Sequence, residues 1–107
     1  MIVDIKYSDS ILHPCAYKDD VVEFYIEDSP IGWIIHCYVN DWSREKYDHI
    51  LDVWLSIVDL AVVNEFYAIV KDDKLLKFAE LFGFYSIDDL HDREGNKIGE
   101  LVKYDYV

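Results

Sequence analysis

The sequence predicts an α/β (α+β) domain built on a mixed, mostly antiparallel sheet. Three observations carry this. Met1–Tyr7 and Val21–Ile26 alternate apolar and polar residues with the period of a half-buried strand. The apolar run Ile31–Val39 leads through Asn40-Asp41-Trp42-Ser43 into a strong helical period from Arg44 to Ala61. Glu65–Val70 then reads as a strand, so strand, long helix and strand form a crossover unit with strands 31–39 and 65–70 parallel. The expected order is β-β-β-α-β-α-β-β, in a single domain spanning 1–107.

The first strand sets Val3, Ile5 and Tyr7 against Asp4 and Lys6. Ser8–Asp20 holds Ser, Pro, His and paired Asp, and is expected as a loop with a short helical turn near Ile11-Leu12. In Val21–Ile26, Val22, Phe24 and Ile26 oppose Glu23 and Tyr25. Glu27–Gly32 reads as a hairpin turn, using Pro30 and Gly32 for their fixed and permissive φ. Gly32–Val39 returns antiparallel. It is apolar on both sides, as a central strand covered on both faces would be.

The long helix, 43–61, repeats apolar residues at Tyr47, Leu51, Trp54, Val58 and Ala61, flanked by Ile50, Leu55 and Ile57. Ser43 is its expected N-cap, and Trp42 with Tyr47 a hydrophobic staple. A second helix, 73–82, carries Leu75, Leu76, Phe78, Ala79, Leu81 and Phe82 and stops at Gly83. Phe84–Leu90, a polar turn at Asp92–Lys97, and Ile98–Val107 complete the sheet. In the last strand Leu101 and Lys103 alternate against Val102 and Tyr104.

Of 107 residues, 52% are hydrophobic and 16% aromatic, enough for one sizeable core. Net charge is −12, from 22 acids and 10 bases. That argues against direct contact with nucleic acid, whose phosphates need Lys and Arg, and against anionic membranes. Such a balance usually serves solubility; its sharper meaning is a partner with a basic surface, such as the nucleic-acid site of another protein. No apolar window is long enough to span a bilayer. Residues 1–20 have neither a basic start nor a long apolar core, so no signal peptide and a cytoplasmic location are expected. Cys15 and Cys37 lack CxxC spacing and are expected as buried free thiols.

No metal or cofactor is expected. None of His13, His36, His49 and His91 lies three or four residues from another His. His49 is expected at the surface, and His36 as a hydrogen-bonded core residue. His91-Asp92 with Asp88-Asp89 lacks calcium-loop spacing. His36 and Cys37 are adjacent on a strand and so point to opposite faces, which is wrong for a catalytic pair.

The candidate partner-binding residues are Glu45, Asp48, Asp52 and Asp59, an acidic stripe at helical spacing, with Asp41 and Trp42 at its head. Tyr25, Tyr38, Trp42, Tyr67, Tyr85, Tyr104 and Tyr106 exceed what a small core needs and suit a contact surface.

The element order, with Lys74-Leu-Leu-Lys-Phe-Ala-Glu-Leu-Phe-Gly-Phe84 and the hairpin through Gly95, resembles the GNAT acetyltransferase family over roughly residues 21–107. In that family a short second helix leads through Gly-Phe into two closing strands. The resemblance implies an acetyl-CoA site at the strand-to-helix junction, with pyrophosphate on backbone N–H groups of a Gln/Arg-x-x-Gly-x-Gly/Ala loop. Here that loop is Val39-Asn-Asp-Trp-Ser-Arg-Glu45, without glycine and with Asp41 where an anion would sit. The family's frequent general acid, a Tyr four residues before the Gly, is replaced by Ala79. The resemblance so modified implies a shortened GNAT-like protein that has lost its cofactor loop, of a kind carried by phages. The expected function is non-catalytic: an acidic inhibitor that occupies a basic site on a host or defence protein, such as a CRISPR or restriction component. Two alternatives stand. One is an acyl-CoA-dependent N-acetyltransferase using Arg44 and backbone amides near Trp42–Glu45. The other is a virion structural or assembly protein whose aromatic surface drives homo-oligomerisation.

Overall fold

The computed structural model describes residues 14–40 and 42–106. Their elements are β1 (Cys15–Lys18), β2 (Val22–Ser29), β3 (Gly32–Val39), a 3-10 turn (Arg44–Lys46), α1 (Tyr47–Leu60), β4 (Glu65–Val70), α2 (Asp73–Leu81), β5 (Tyr85–His91) and β6 (Lys97–Asp105). The strands form one six-stranded sheet in the order β1-β2-β3-β4-β6-β5. Only β3 and β4 run parallel; every other neighbouring pair is antiparallel. The described residues are therefore α+β, with a mixed, mostly antiparallel sheet and two helices.

The elements depart from the expected ones in several places. The expected strand Met1–Tyr7 and the turn near Ile11-Leu12 lie outside the described residues. The first described strand, Cys15–Lys18, falls where a loop was expected. It is a short edge strand with a register shift between Cys15 and Tyr17, so it shows no clean alternation. β2 runs on to Ser29, because Glu27 and Asp28 pair with Ile34 and Trp33 across the ladder. The hairpin turn shrinks to Pro30-Ile31, and Gly32 takes φ 135°, a conformation that favours glycine.

The entry to α1 also differs. Ser43 makes no side-chain cap; its carbonyl instead accepts from the Lys46 N–H at 3.0 Å. Trp42 and Tyr47 each reach α2. Trp42 meets Phe78 edge to face at 5.1 Å, and Tyr47 lies 5.3 Å from Phe82. The Tyr47 hydroxyl also donates to the Leu81 carbonyl at 2.8 Å, tying the helices together. α2 is capped by Asp72, whose carboxylate accepts from Leu75 N–H at 2.8 Å, and it ends at the expected Gly83, at φ 94°.

Alternation puts Val22 and Phe24 of β2, Ile35 of β3, Phe66 of β4 and Val102 of β6 on one face of the sheet, against α1. Trp54 is the centre of this core and only 1% exposed. Its ring lies 5.2 Å from Phe66, 5.3 Å from Phe84 and Tyr104, and 6.0 Å from Phe24. Those partners come from β2, β4, β6 and the turn before β5, so one side chain joins both halves of the sheet.

Candidate functional site

β3 is covered on both faces only in its first half, where Ile34 and Ile35 are both buried. Farther along, Cys37 and Tyr38 are exposed. The cause is the pairing with β4. The parallel ladder holds only Trp33↔Phe66 and Ile34↔Tyr67. Beyond Ile34 and Tyr67 the two strands diverge, and a cleft of about 730 Å³ opens between them, α1 and α2. A parallel pair that ends early leaves backbone N–H and C=O groups facing the gap rather than a partner strand.

The exposed lining of the cleft is mostly apolar, with backbone groups and lysines supplying the rest. Ile35 comes from β3, Val70 from β4, Trp54 from α1, and Leu75 and Phe78 from α2. Trp42, 46% exposed, lies edge-on to Phe78 in the same wall. Cys37 is open to solvent inside this cleft, yet enough protein surrounds it that desolvation pushes its thiol up to about 12. The thiol therefore keeps its proton at neutral pH. Both cysteines are free, as expected, but both are exposed rather than buried.

The charge at the cleft opposes that of the whole chain. Lys71, Lys74 and Lys77 line it, and all three are exposed. Among the described residues none of the three is ion-paired, and no Asp or Glu lines the cleft. In a chain of 22 acids and 10 bases, that is a local reversal of sign.

The acidic stripe lies elsewhere. Glu45, Asp48, Asp52 and Asp59 are all exposed on the 3-10 turn and α1. Their spacing returns each to one side of the helix, over about 16 Å from Asp48 to Asp59. Among the described residues no hydrogen bond or ion pair engages the carboxylates of Glu45, Asp48 or Asp52. Asp59 accepts from the Tyr106 hydroxyl at 2.7 Å. Trp42 does not join this stripe, since its ring belongs to the cleft. Asp41 lies outside the described residues.

The histidines have other employment. His49 is exposed and sits 2.6 Å from Asp19, which also accepts from the Tyr17 hydroxyl at 2.7 Å and from the Val21 and Val22 N–H groups. Led by the Tyr17 hydroxyl, these donors hold the Asp19 carboxyl well below the usual range. His36, half-buried, lies 2.9 Å from Glu27 on the side of β3 away from α1. Among the described residues no His, Cys, Asp or Glu group has the arrangement of a metal site. No helix among them is long and apolar enough to cross a membrane.

The chain matches no family model, no curated protein and no solved structure.

Two features lay beyond the sequence argument. The cleft follows from where a parallel ladder stops, which leaves no mark in residue pattern. The second is a set of tyrosine–carboxylate pairs: Tyr17 on Asp19, Tyr25 on Glu23, Tyr67 on Glu65, Tyr85 on Asp105 and Tyr106 on Asp59. The first three join residues two apart, which share a side on extended chain. That spacing was a signal available in the sequence.

Proposed function

We propose that the protein is a GNAT-like, non-catalytic binding domain that presents the acidic side of α1 to a basic surface on another protein. One observation carries the reading: the carboxylates of Glu45, Asp48 and Asp52 stand exposed on one stripe with no partner among the described residues. Asp59 extends the stripe. Such a row of exposed like charges is complementary to a basic surface. The non-catalytic part is supported by the cleft, where the Cys37 thiol stays protonated and the Ala79 side chain offers no acid. Tyr85, the next hydroxyl along the chain, is engaged by Asp105.

The test is capture of partners from bacterial lysate by the protein and by an Asp48→Lys, Asp52→Lys variant of unchanged circular dichroism. Capture by the natural sequence that falls with salt and is lost in the variant supports the reading. Equal capture by both sinks it.

A second reading, acyl-CoA-dependent transfer with a divergent cofactor loop, is favoured by the cleft opening beside the Val39–Arg44 junction. Acetyl-CoA would then raise the melting temperature, because a ligand of the folded state stabilises it. No shift at millimolar acetyl-CoA would remove this reading.

A further inference from the structure

We propose that the cleft between β3 and β4 is a binding site for a long-chain carboxylate. The alkyl tail lies between the diverging strands, and Lys74 and Lys77, with Lys71, hold the carboxylate at the rim. This stands apart from the acidic-face reading; neither depends on the other.

Three observations converge. The first is shape: a cleft of about 730 Å³ falls within the ~300–1,000 Å³ of ordinary small-molecule sites. The second is lining. Trp42, Leu75 and Phe78, over a floor of the buried Ile35 and Val70, give a mainly apolar trough, which suits an alkyl chain. The third is charge. A net charge of −12 repels anions in general, yet among the described residues three lysines without ion pairs, and no carboxylate, line this cleft. Apolar walls with cations at the rim are complementary to an amphipathic anion.

A nucleotide-bearing anion fits less well. A pyrophosphate needs converging backbone N–H groups and glycines that let it approach. Asn40–Glu45 has no glycine, and Trp42 stands against Phe78 at that end of the cleft. A carboxylate asks only for one or two ammonium groups. The lysines present three compact charges on flexible stems.

The test uses the full chain and straight-chain carboxylates of eight to sixteen carbons, followed by tryptophan fluorescence, since Trp42 and Trp54 both line the cleft. Binding is expected to be saturable at one site. Each two-carbon extension tightens it roughly tenfold until the cleft is full. The Lys74→Glu, Lys77→Glu variant, at exposed positions that leave the fold intact by circular dichroism, weakens binding at least tenfold. The uncharged alcohol of equal length binds more weakly to the natural protein than the acid does. Three results overturn the proposal: no saturable signal below the micellar concentration, undiminished affinity in the lysine variant, or coenzyme A without an acyl chain binding as tightly as the carboxylate.

Discussion

Ile34 and Tyr67 are the last residues at which β3 and β4 pair. Everything distinctive about the cleft begins there. Behind the pair, the Tyr67 ring covers Gly32, and a Cβ added to Gly32 would stand 2.9 Å from Tyr67 Cε2. The tight end of the parallel ladder thus depends on a residue without a side chain.

Gly32→Ala is accordingly expected to destabilise. It forces an L-residue to φ 135° and pushes on the Tyr67 ring. Backbone strain of this kind costs about 1–3 kcal/mol. Urea unfolding should register a lower midpoint with an unchanged slope. A variant as stable as the natural protein would mean that the turn relaxes without strain.

Trp54 allows a sharper comparison. Among the described residues its buried indole Nε1 has no hydrogen-bond partner. Trp54→Ala removes the ring that Phe24, Phe66, Phe84 and Tyr104 enclose, and should cost about 3–5 kcal/mol. Trp54→Phe leaves a smaller void and deletes an unmet donor, whose burial costs about 1–3 kcal/mol. It should therefore lie within about 1.5 kcal/mol of the natural protein. Equal losses for the two variants would contradict this account.

The tyrosine–carboxylate pairs make stability sensitive to alkali. The Glu23 carboxylate accepting from Tyr25 pushes that phenol up to about 12, and Tyr17, Tyr85 and Tyr106 are raised by Asp19, Asp105 and Asp59. An unfolded tyrosine titrates near 10. The folded state thus holds these protons more tightly, and their contribution is complete below about pH 10. It is lost as pH rises through the folded values, toward about 12 for Tyr25. Melting temperatures should fall over that window. Tyr25→Phe combined with Tyr85→Phe should lower stability at pH 7 and flatten the alkaline fall.

On the acidic stripe, position along the helix decides the sign. Asp48 lies in the first turn of α1, where the helix dipole favours a negative charge by about 0.3–1 kcal/mol. Repulsion from Glu45 and Asp52 offsets that by a few tenths each. Asp48→Asn should therefore be close to neutral. Asp52 sits beyond the first turn, so Asp52→Asn relieves repulsion and should raise stability by a few tenths of a kcal/mol. Denaturant titrations in low salt separate the two, and the Asp52 gain should vanish in high salt.

The legible parts of the chain were those in which one physical pattern dominates. Glu65–Val70 emerged with its observed bounds, and α1 showed itself through Trp54 and Val58 at helical spacing. Its parallel neighbours followed from crossover geometry alone. Cys15–Lys18 was illegible because a four-residue edge strand with a register shift presents no period, and Pro14 with Asp19-Asp20 imitates a loop. Trp42 was assigned to the acidic stripe because sequence proximity to Glu45 says nothing of which way a ring turns. The lysines of α2 carry no signal by their spacing alone. Only the opening of the sheet beside them gives their charge an object.

The early end of the β3–β4 ladder also divides the molecule lengthwise. β1, β2 and β3 form one antiparallel ribbon from residues 15–39, and β4, β6 and β5 another from 65–105. Each ribbon is an unbroken run of chain. They are joined along the sheet at two paired positions and spanned by α1, whose following segment exposes Val62 at 88%. A peptide break beside Val62 would sever no strand pairing and would leave Trp54 on one fragment, with Phe66, Phe84 and Tyr104 on the other. The domain thus resembles two pieces that share a backbone, pegged together by the Trp54 indole and latched at the helices by Tyr47 and Trp42.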